Sequence, residues 1–419
     1  MDTSRNICCC TMAIAGSCAA LALFSSMARA EDAMQPIRWS DIAALIDRHP
    51  RLSAGKHLVD AARGGVDGAG AVPNPTLEGT VGRGVARAGD ASRLEWGLAL
   101  SVPLGWIAQR SSKVAAAEAG VELAVAEVRA LRRDVLLQLR TLYWNTAYEQ
   151  ASVASLEALV AQTATLVDSV KRRVEKGEAR PVEATRVEIE LEKAAGELET
   201  ARASLASRQA QLALWLGAPR GRAISVAADL GAVPAAMDLD AALEKARAPH
   251  PALLAARART RSLAAELDAE RRARVPSVSA TASMNSELDR VAYGAGLAID
   301  LPLWNWNSGR IAQGEAGLAA GSRQAEAEAL ELESTVIEAQ AACRASAATA
   351  TRLGTNVVPR SEAAARTMEK TYQLGEASLL EVIDARRTLL ESRRLYLGAL
   401  VQAQIDCSRF GALVGEELQ

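Results

Sequence analysis

Two stretches share a pattern that is typical of the tip of a helical hairpin: KGEARPVEATR at Lys176–Arg186 and YQLGEASLLEVIDARRTLL at Tyr372–Leu390. Gly177 and Gly375 stand where a helix ends in a left-handed residue, a conformation that costs glycine little. Pro181 then suits the first turn of a following helix. Both stretches therefore predict two helices joined by a turn of a few residues.

Heptad repeats extend from these turns in both directions. The outgoing helix of the first hairpin has one apolar row at Val114, Val121, Val128, Val135 and Leu142. The return helix has another at Leu191, Leu198, Leu205 and Leu212. Such rows are typical of a coiled-coil seam. We expect outgoing helices over about 110–176 and 308–374, each on the order of 100 Å long at about 1.5 Å per residue. In the second hairpin, Ser378-Leu-Leu-Glu381 predicts a capping box at the start of the return helix.

The chain is a tandem repeat with an offset of 197 to 201 residues. His49-Pro50 returns as His250-Pro251, and Gly177-Glu-Ala179 returns as Gly375-Glu-Ala377. Matches in the same order at nearly constant spacing indicate one structural unit written twice. We predict a first repeat at 31–217, a linker at 218–238 and a second repeat at 239–419.

Each repeat also carries a predicted β-hairpin, at about 76–102 and about 277–301, ahead of helical hairpins at about 110–216 and 308–413. Apolar residues alternate along these strands, which is typical of a strand with one apolar face. One row contains Leu94, Trp96, Leu98, Leu100 and Val102, and the other contains Tyr293, Ala295, Leu297, Ile299 and Leu301. A strand of a soluble sandwich shows the same pattern. The lengths of about ten residues match a tilted transmembrane strand, and no other predicted strands are available to cover these faces.

Residues 1–30 are predicted to be an export signal. Arg5 precedes the apolar segment Ile7–Phe24, and Ala28-Arg29-Ala30 resembles a cleavage site. A membrane anchor and lipid attachment at Cys18 are the alternatives. Beyond this segment no apolar run approaches 20 residues, so no spanning helix is expected.

The sequence offers no catalytic, cofactor or metal constellation, so we do not expect an enzyme. The histidines His49, His57 and His250 are isolated from one another. Only Cys343 and Cys407 lie outside the signal. They could pair in an oxidising compartment, although cysteines on long helices are more often small buried hydrophobic residues. A formal net charge of -2 argues against a nucleic-acid partner.

The predicted fold class is mainly α with a small β part. Four strands cannot close a barrel, and an open sheet edge within lipid is prohibitively costly. Three copies would supply a 12-stranded barrel, an even number typical of outer-membrane barrels. Their six helical hairpins could pack into a tube. The residues thus predict an exported homotrimer with a barrel in the outer membrane and a helical tube in the periplasm.

The sequence resembles the TolC-like outer membrane efflux proteins from His49 to Gly415, with the two tip stretches carrying the likeness. Gly177-Glu-Ala-Arg-Pro-Val-Glu183 is similar to the heavy-metal cation efflux branch, the CzcC-like proteins. The resemblance implies a passive channel, without cofactors, that works with a periplasmic adaptor and an inner-membrane pump. The exported compound stays open between metal cations and drugs. A periplasmic coiled-coil adaptor and a secreted hydrolase are the alternative functions.

The resemblance also implies roles for residues at the tips. Glu381 and Asp384 correspond to the acidic entrance positions; three apart, they share a helix face, and in a trimer would form carboxylate rings with raised pKa values. Tyr372 and Glu183 correspond to gate positions, with Arg180 or Arg186 as possible basic partners. The adaptor-docking positions are Gly177, Glu178, Ala179, Arg180, Gly375, Glu376, Ala377 and Ser378.

Overall fold

The computed structural model describes residues 36–85, 92–218, 223–247, 250–287 and 290–415. The predicted signal peptide, its cleavage site and Cys18 lie outside these residues. So do part of the predicted linker, at 219–222, and the end of the second repeat, at 416–419.

Long helices make up most of the described chain. The first repeat contains α1 (Trp39–Leu45), α2 (Pro50–Gly70), α3 (Trp106–Glu175) and α4 (Pro181–Trp215), with a 3₁₀ turn at Ile46–Arg48 after α1. The second contains α5 (Leu239–Arg247), α6 (Pro251–Arg272), α7 (Ser308–Arg352), α8 (Val358–Gln373) and α9 (Leu379–Leu413). His49 and His250 are the N-cap residues of α2 and α6, and the Nδ1 atom of each accepts a backbone hydrogen bond at 3.3 Å.

The second outgoing helix is interrupted, contrary to the prediction of one helix to Leu374. A π-helical segment, Leu353–Val357, separates α7 from α8. Pro359 is the second residue of α8, and proline has no N–H to give and crowds the carbonyl of the residue four positions earlier. The wider π turn accommodates that crowding. The first repeat has no proline within α3, which runs unbroken for 70 residues.

Helix α3 is the central element of the helical part, because α2, α4, α6 and α9 all pack on it. By length and composition alone, α3 is long and apolar enough to cross a membrane. The sequence analysis did not expect such a helix. The buried residues form a series of small clusters along the hairpins, as expected where alanine-rich helices approach closely.

The four strands form one antiparallel sheet in the order β1-β2-β3-β4. Their bounds are β1 (Thr76–Val85), β2 (Ser92–Pro103), β3 (Ser277–Glu287) and β4 (Arg290–Asp300). The middle pairing, with Ala99 opposite Ser283, joins the two repeats. Among the described residues, β1 and β4 each pair on one side only. The sheet therefore ends in two edges with unpaired backbone groups.

The apolar row of β2 faces outward from this sheet. In this row Leu94, Leu98, Leu100 and Val102 are exposed and Trp96 is half-buried. Of the alternating neighbours, Gly97 is buried and Ala99 and Ser101 are half-buried. On β4, Tyr293 is 80% exposed and Leu297 is 69% exposed. Side chains of this size rarely lie uncovered in a row on a soluble protein.

The two remaining cysteines are bonded to each other, contrary to the expectation that unpaired buried residues are more common on long helices. The disulfide joins Cys343 on α7 to Cys407 on α9, with Cα atoms 4.6 Å apart. Both residues belong to a cluster that also contains Val336, Phe410 and Leu413. The pairing depends on α7 and α9 lying side by side.

Candidate functional site at the helical tips

The first tip is a tight helix-to-helix turn centred on Gly177. Its φ of +73° is left-handed. The Gly177 N–H donates to the Val174 carbonyl at 3.0 Å, and the Glu178 N–H donates to the Arg173 carbonyl at 2.8 Å. These two bonds satisfy carbonyls at the end of α3 in the pattern of a Schellman motif. Pro181 then opens α4, as predicted.

The second tip repeats this geometry around Gly375, whose φ is +80°. The Gly375 N–H donates to the Tyr372 carbonyl at 3.0 Å, and the Glu376 N–H donates to the Thr371 carbonyl at 2.9 Å. The predicted capping box at the start of α9 is confirmed. There, Glu381 accepts from the Ser378 N–H at 2.7 Å, and the Glu381 N–H donates to the Ser378 hydroxyl at 3.4 Å.

A shared apolar cluster brings the two tips together. It takes residues from α3, α4, α8 and α9, which come from both repeats: Leu166, Val167, Val170, Val187, Tyr372, Leu379, Val382 and Ile383. This packing leaves the residues predicted to dock an adaptor at the outer end of the structure. Gly177, Glu178, Arg180, Gly375, Glu376 and Ser378 are exposed, and Ala179 and Ala377 are half-buried.

Tyr372 contacts a basic residue that the sequence analysis did not name. The Arg173 guanidinium lies over the Tyr372 ring, 4.8 Å from its centroid. The same side chain donates to the Tyr372 carbonyl at 3.5 Å and lies 3.9 Å from the Glu178 carboxylate. The Tyr372 ring is buried, and its hydroxyl has no hydrogen-bond partner among the described residues. Arg173 thereby links the first hairpin to the second.

Glu183, the other predicted gate residue, is engaged separately. It accepts from Arg180 at 3.3 Å, within the first turn of α4. Arg180 is thus a partner of Glu183, whereas the cation on Tyr372 is Arg173. At the repeat offset of 198 residues, Tyr372 corresponds to Val174, and Arg173 directly precedes Val174. The sequence therefore placed Arg173 at the same level of its hairpin as Tyr372.

Glu381 and Asp384 lie on the exposed side of α9, while Val382 and Ile383 between them are buried in the tip cluster. The backbone N–H and the hydroxyl of Ser378 lower the pKa of the Glu381 carboxyl from its usual value. The rise that the sequence analysis expected from crowding in a ring concerns three assembled copies, and it stays a prediction. A lowered pKa keeps Glu381 ionised at neutral pH and below, since a depressed acid loses its charge only as the pH falls through the lowered value.

One turn further along α9, charged side chains pair across the two repeats. Arg387 donates to both carboxylate oxygens of Glu190 on α4, with the shortest contact at 2.5 Å. Lys193 reaches the same carboxylate at 3.2 Å. Bidentate pairs of this kind fix orientation as well as supplying energy. Within the described ranges, no group of three or more histidine, cysteine or carboxylate side chains could hold a metal ion.

Comparisons with known proteins agree with this arrangement. A family model described as outer membrane efflux protein matches residues 42–218 and 242–416. The cobalt-zinc-cadmium resistance protein CzcC of Cupriavidus metallidurans is 29% identical over 371 residues, covering 87% of this chain and 86% of that protein.

Solved structures share the fold at lower identity. The outer-membrane channel OprN superposes with a TM-score of 0.75 at 16% identity, covering 90% of each chain. CusC, from a study of transmembrane channel formation, gives a TM-score of 0.74 at 18% identity, covering 92% of this chain and 95% of its own.

The family match spans most of the chain, once in each repeat. This match argues against both alternative functions, the periplasmic adaptor and the secreted hydrolase. Proteins of this family are transport proteins without enzymatic activity. The paired tips, the exposed strand faces and these comparisons lead to one assignment. The chain belongs to the outer membrane efflux protein family and is a protein of the bacterial outer membrane.

Proposed function

We propose that three copies of this chain form a passive channel that carries divalent metal cations from the periplasm to the exterior. The observation that carries this proposal is the four-stranded sheet with two free edges and an uncovered apolar face. Within lipid, such edges must be paired. Pairing β4 of one copy with β1 of the next closes a 12-stranded barrel with three copies, and their helical hairpins continue it as a periplasmic tube.

The choice of metal cations rests on the relative whose name specifies resistance to cobalt, zinc and cadmium. Deleting the gene for this chain should raise the cellular content of zinc, cobalt and cadmium when the cells are exposed to these metals. Restoring the gene should reverse the increase. Cellular metal content measured by mass spectrometry checks the expectation. If the metal content is unchanged and hydrophobic drugs accumulate in the cells, the channel belongs to drug efflux instead.

In this channel the tips meet a periplasmic adaptor, which connects them to an inner-membrane pump that supplies the energy. The exposed residues around Gly177 and Gly375 form the docking surface. The contacts of Arg173 with the ring and the carbonyl of Tyr372 hold the two hairpins together and keep the entrance closed. Glu381 and Asp384 form two rings of carboxylates inside that entrance.

The closed entrance should loosen when Arg173 is replaced by Met. This change keeps the length of the side chain and removes the cation–π contact, which contributes about 1 kcal/mol. The ratio of closed to open entrances should fall about fivefold for each of the three copies, seen as higher basal conductance in planar bilayers. Arg172→Met, at the exposed neighbouring position, is the control. Equal conductance of both variants would contradict a gating role for Arg173.

The acidic rings should attract cations, because a narrow ring of like charge lowers its repulsion by binding them. Glu381→Gln with Asp384→Asn removes the charge, and glutamine retains the capping box. Divalent cations added on the periplasmic side should bind in the rings and block the current of monovalent ions through the native channel, and they should fail to block that current through the variant. Single-channel recordings with Glu188→Gln/Glu192→Gln as the control test this expectation. Undiminished block in the ring variant would place the cation site elsewhere.

A further inference from the structure

The segment between β4 and α7 exposes two tryptophans. Trp304 is 92% exposed and Trp306 is 55% exposed, and Leu303 beside them is 62% exposed. The chain has only seven tryptophans. Two indoles in solvent within three residues form an apolar surface that no part of the described chain covers.

The backbone that carries these indoles is held in place. Asn307 has a φ of +58°, the one left-handed residue other than glycine among the described residues. Its side-chain amide donates to the carbonyl of Glu270 at 2.9 Å and to its carboxylate at 2.7 Å. The Arg274 Nε donates to the Trp306 carbonyl at 3.1 Å. The tryptophans are therefore presented by an anchored loop between α6 and α7.

The first repeat makes the same connection without exposed tryptophans. Helix α3 begins at Trp106, which is half-buried, directly after Leu104 and Gly105. The backbone N–H groups of Leu104 and Gly105 donate to the Val278 carbonyl, at 2.7 Å and 3.0 Å. Because a connection of two residues suffices there, the longer loop 301–307 of the second repeat is not needed to join strand to helix.

The order of side chains along this part of the molecule matches the order of layers at a membrane surface. The exposed apolar residues of β4 come first, and Leu301 and Leu303 continue them. The two indoles follow. Exposed guanidinium groups come next, on Arg274 after α6 and on Arg310 in the first turn of α7. Tryptophan is enriched where hydrocarbon meets headgroups, and arginine can reach phosphate from there.

We propose that loop 301–307 is a lipid anchor, in which Trp304 and Trp306 enter the phospholipid headgroup layer on the periplasmic side of the outer membrane. Arg274 and Arg310 lie beside them and contact the phosphates. This inference rests on the proposed function, in which the strands cross that membrane. It assigns the boundary between barrel and tube to a specific loop, and it assigns the anchoring to the second repeat.

Quenching by brominated lipids tests the anchor in the full-length protein. Purified protein is reconstituted into phosphatidylcholine–phosphatidylglycerol vesicles with bromine either near the headgroup or near the methyl end of the acyl chain. The native chain is compared with Trp304→Phe/Trp306→Phe. Two controls are Trp96→Phe, in the apolar row of β2, and Trp144→Phe, in the buried helical core. All four proteins differ only by conservative aromatic replacements.

The anchor predicts that shallow bromine quenches native fluorescence about twofold more than it quenches the Trp304→Phe/Trp306→Phe variant. Trp96→Phe should reduce quenching by deep bromine, and Trp144→Phe should change neither. If Trp96 is quenched while Trp304 and Trp306 are not, the strands cross the membrane and the anchor is wrong. If none of the three is quenched, the membrane placement of the strands fails together with the anchor.

Discussion

Leu98→Arg is expected to abolish assembly of the channel in the outer membrane, whereas Ala99→Arg at the next residue is expected to leave it assembled. Leu98 lies near the middle of β2, opposite Met284 on β3, and its side chain is exposed on the apolar face. Arginine at the midplane on a lipid-facing position costs about 2–4 kcal/mol per copy. Three copies multiply that cost, which approaches the whole stability of an ordinary domain.

Ala99 is the matched control because its side chain points to the other face of the sheet. It is half-buried and lies opposite Ser283, among the small and polar residues of the inner row. An arginine there meets the aqueous lumen and should alter conductance without preventing insertion. Heat-modifiable trimers in outer-membrane fractions, resolved on gels, report assembly. Equal assembly of the two variants would show that the apolar face does not contact lipid.

Gly177→Val together with Gly375→Val is expected to eliminate export while the trimer persists. Valine strongly resists the left-handed conformation, and each substitution costs about 1–2 kcal/mol in backbone strain. A Cβ at either position would meet no atom within 4 Å, so the strain is purely conformational. The turns must open to relieve it, which displaces the docking residues on both tips.

Gly217→Val with Gly415→Val separates docking from strain. These glycines end α4 and α9 with the same left-handed geometry, at φ of +73° and +77°, but at the ends of the helices remote from the tips. Strain should therefore be similar in both double variants. Only the tip variant should lose metal export and lose crosslinks from Glu178 or Glu376 to the adaptor. Loss of export in both, with crosslinks retained in both, would contradict a docking role for the tips.

Local patterns account for what the sequence alone determined. The period of two in β2 and β4, the heptads of α3 and α4, and the left-handed glycines at both tips depend on neighbours within a few residues. The repeat offset of about 198 residues then indicated that both halves share one architecture. Because these preferences belong to short segments, they could be read before any packing was known. Pro359 is a local signal of the same kind, because a proline inside a helical pattern interrupts the helix.

The tertiary structure decided which side chains meet across the repeats. Arg173 lies over Tyr372, and Arg387 pairs with Glu190, because the two hairpin tips share one apolar cluster. Cys343 meets Cys407 only where α7 and α9 run side by side. Such pairs are separated by 64 to 199 residues in the chain. No local preference brings them together; their contact depends on how rigid helices pack, and periodicity alone leaves the rotation and offset of those helices undetermined.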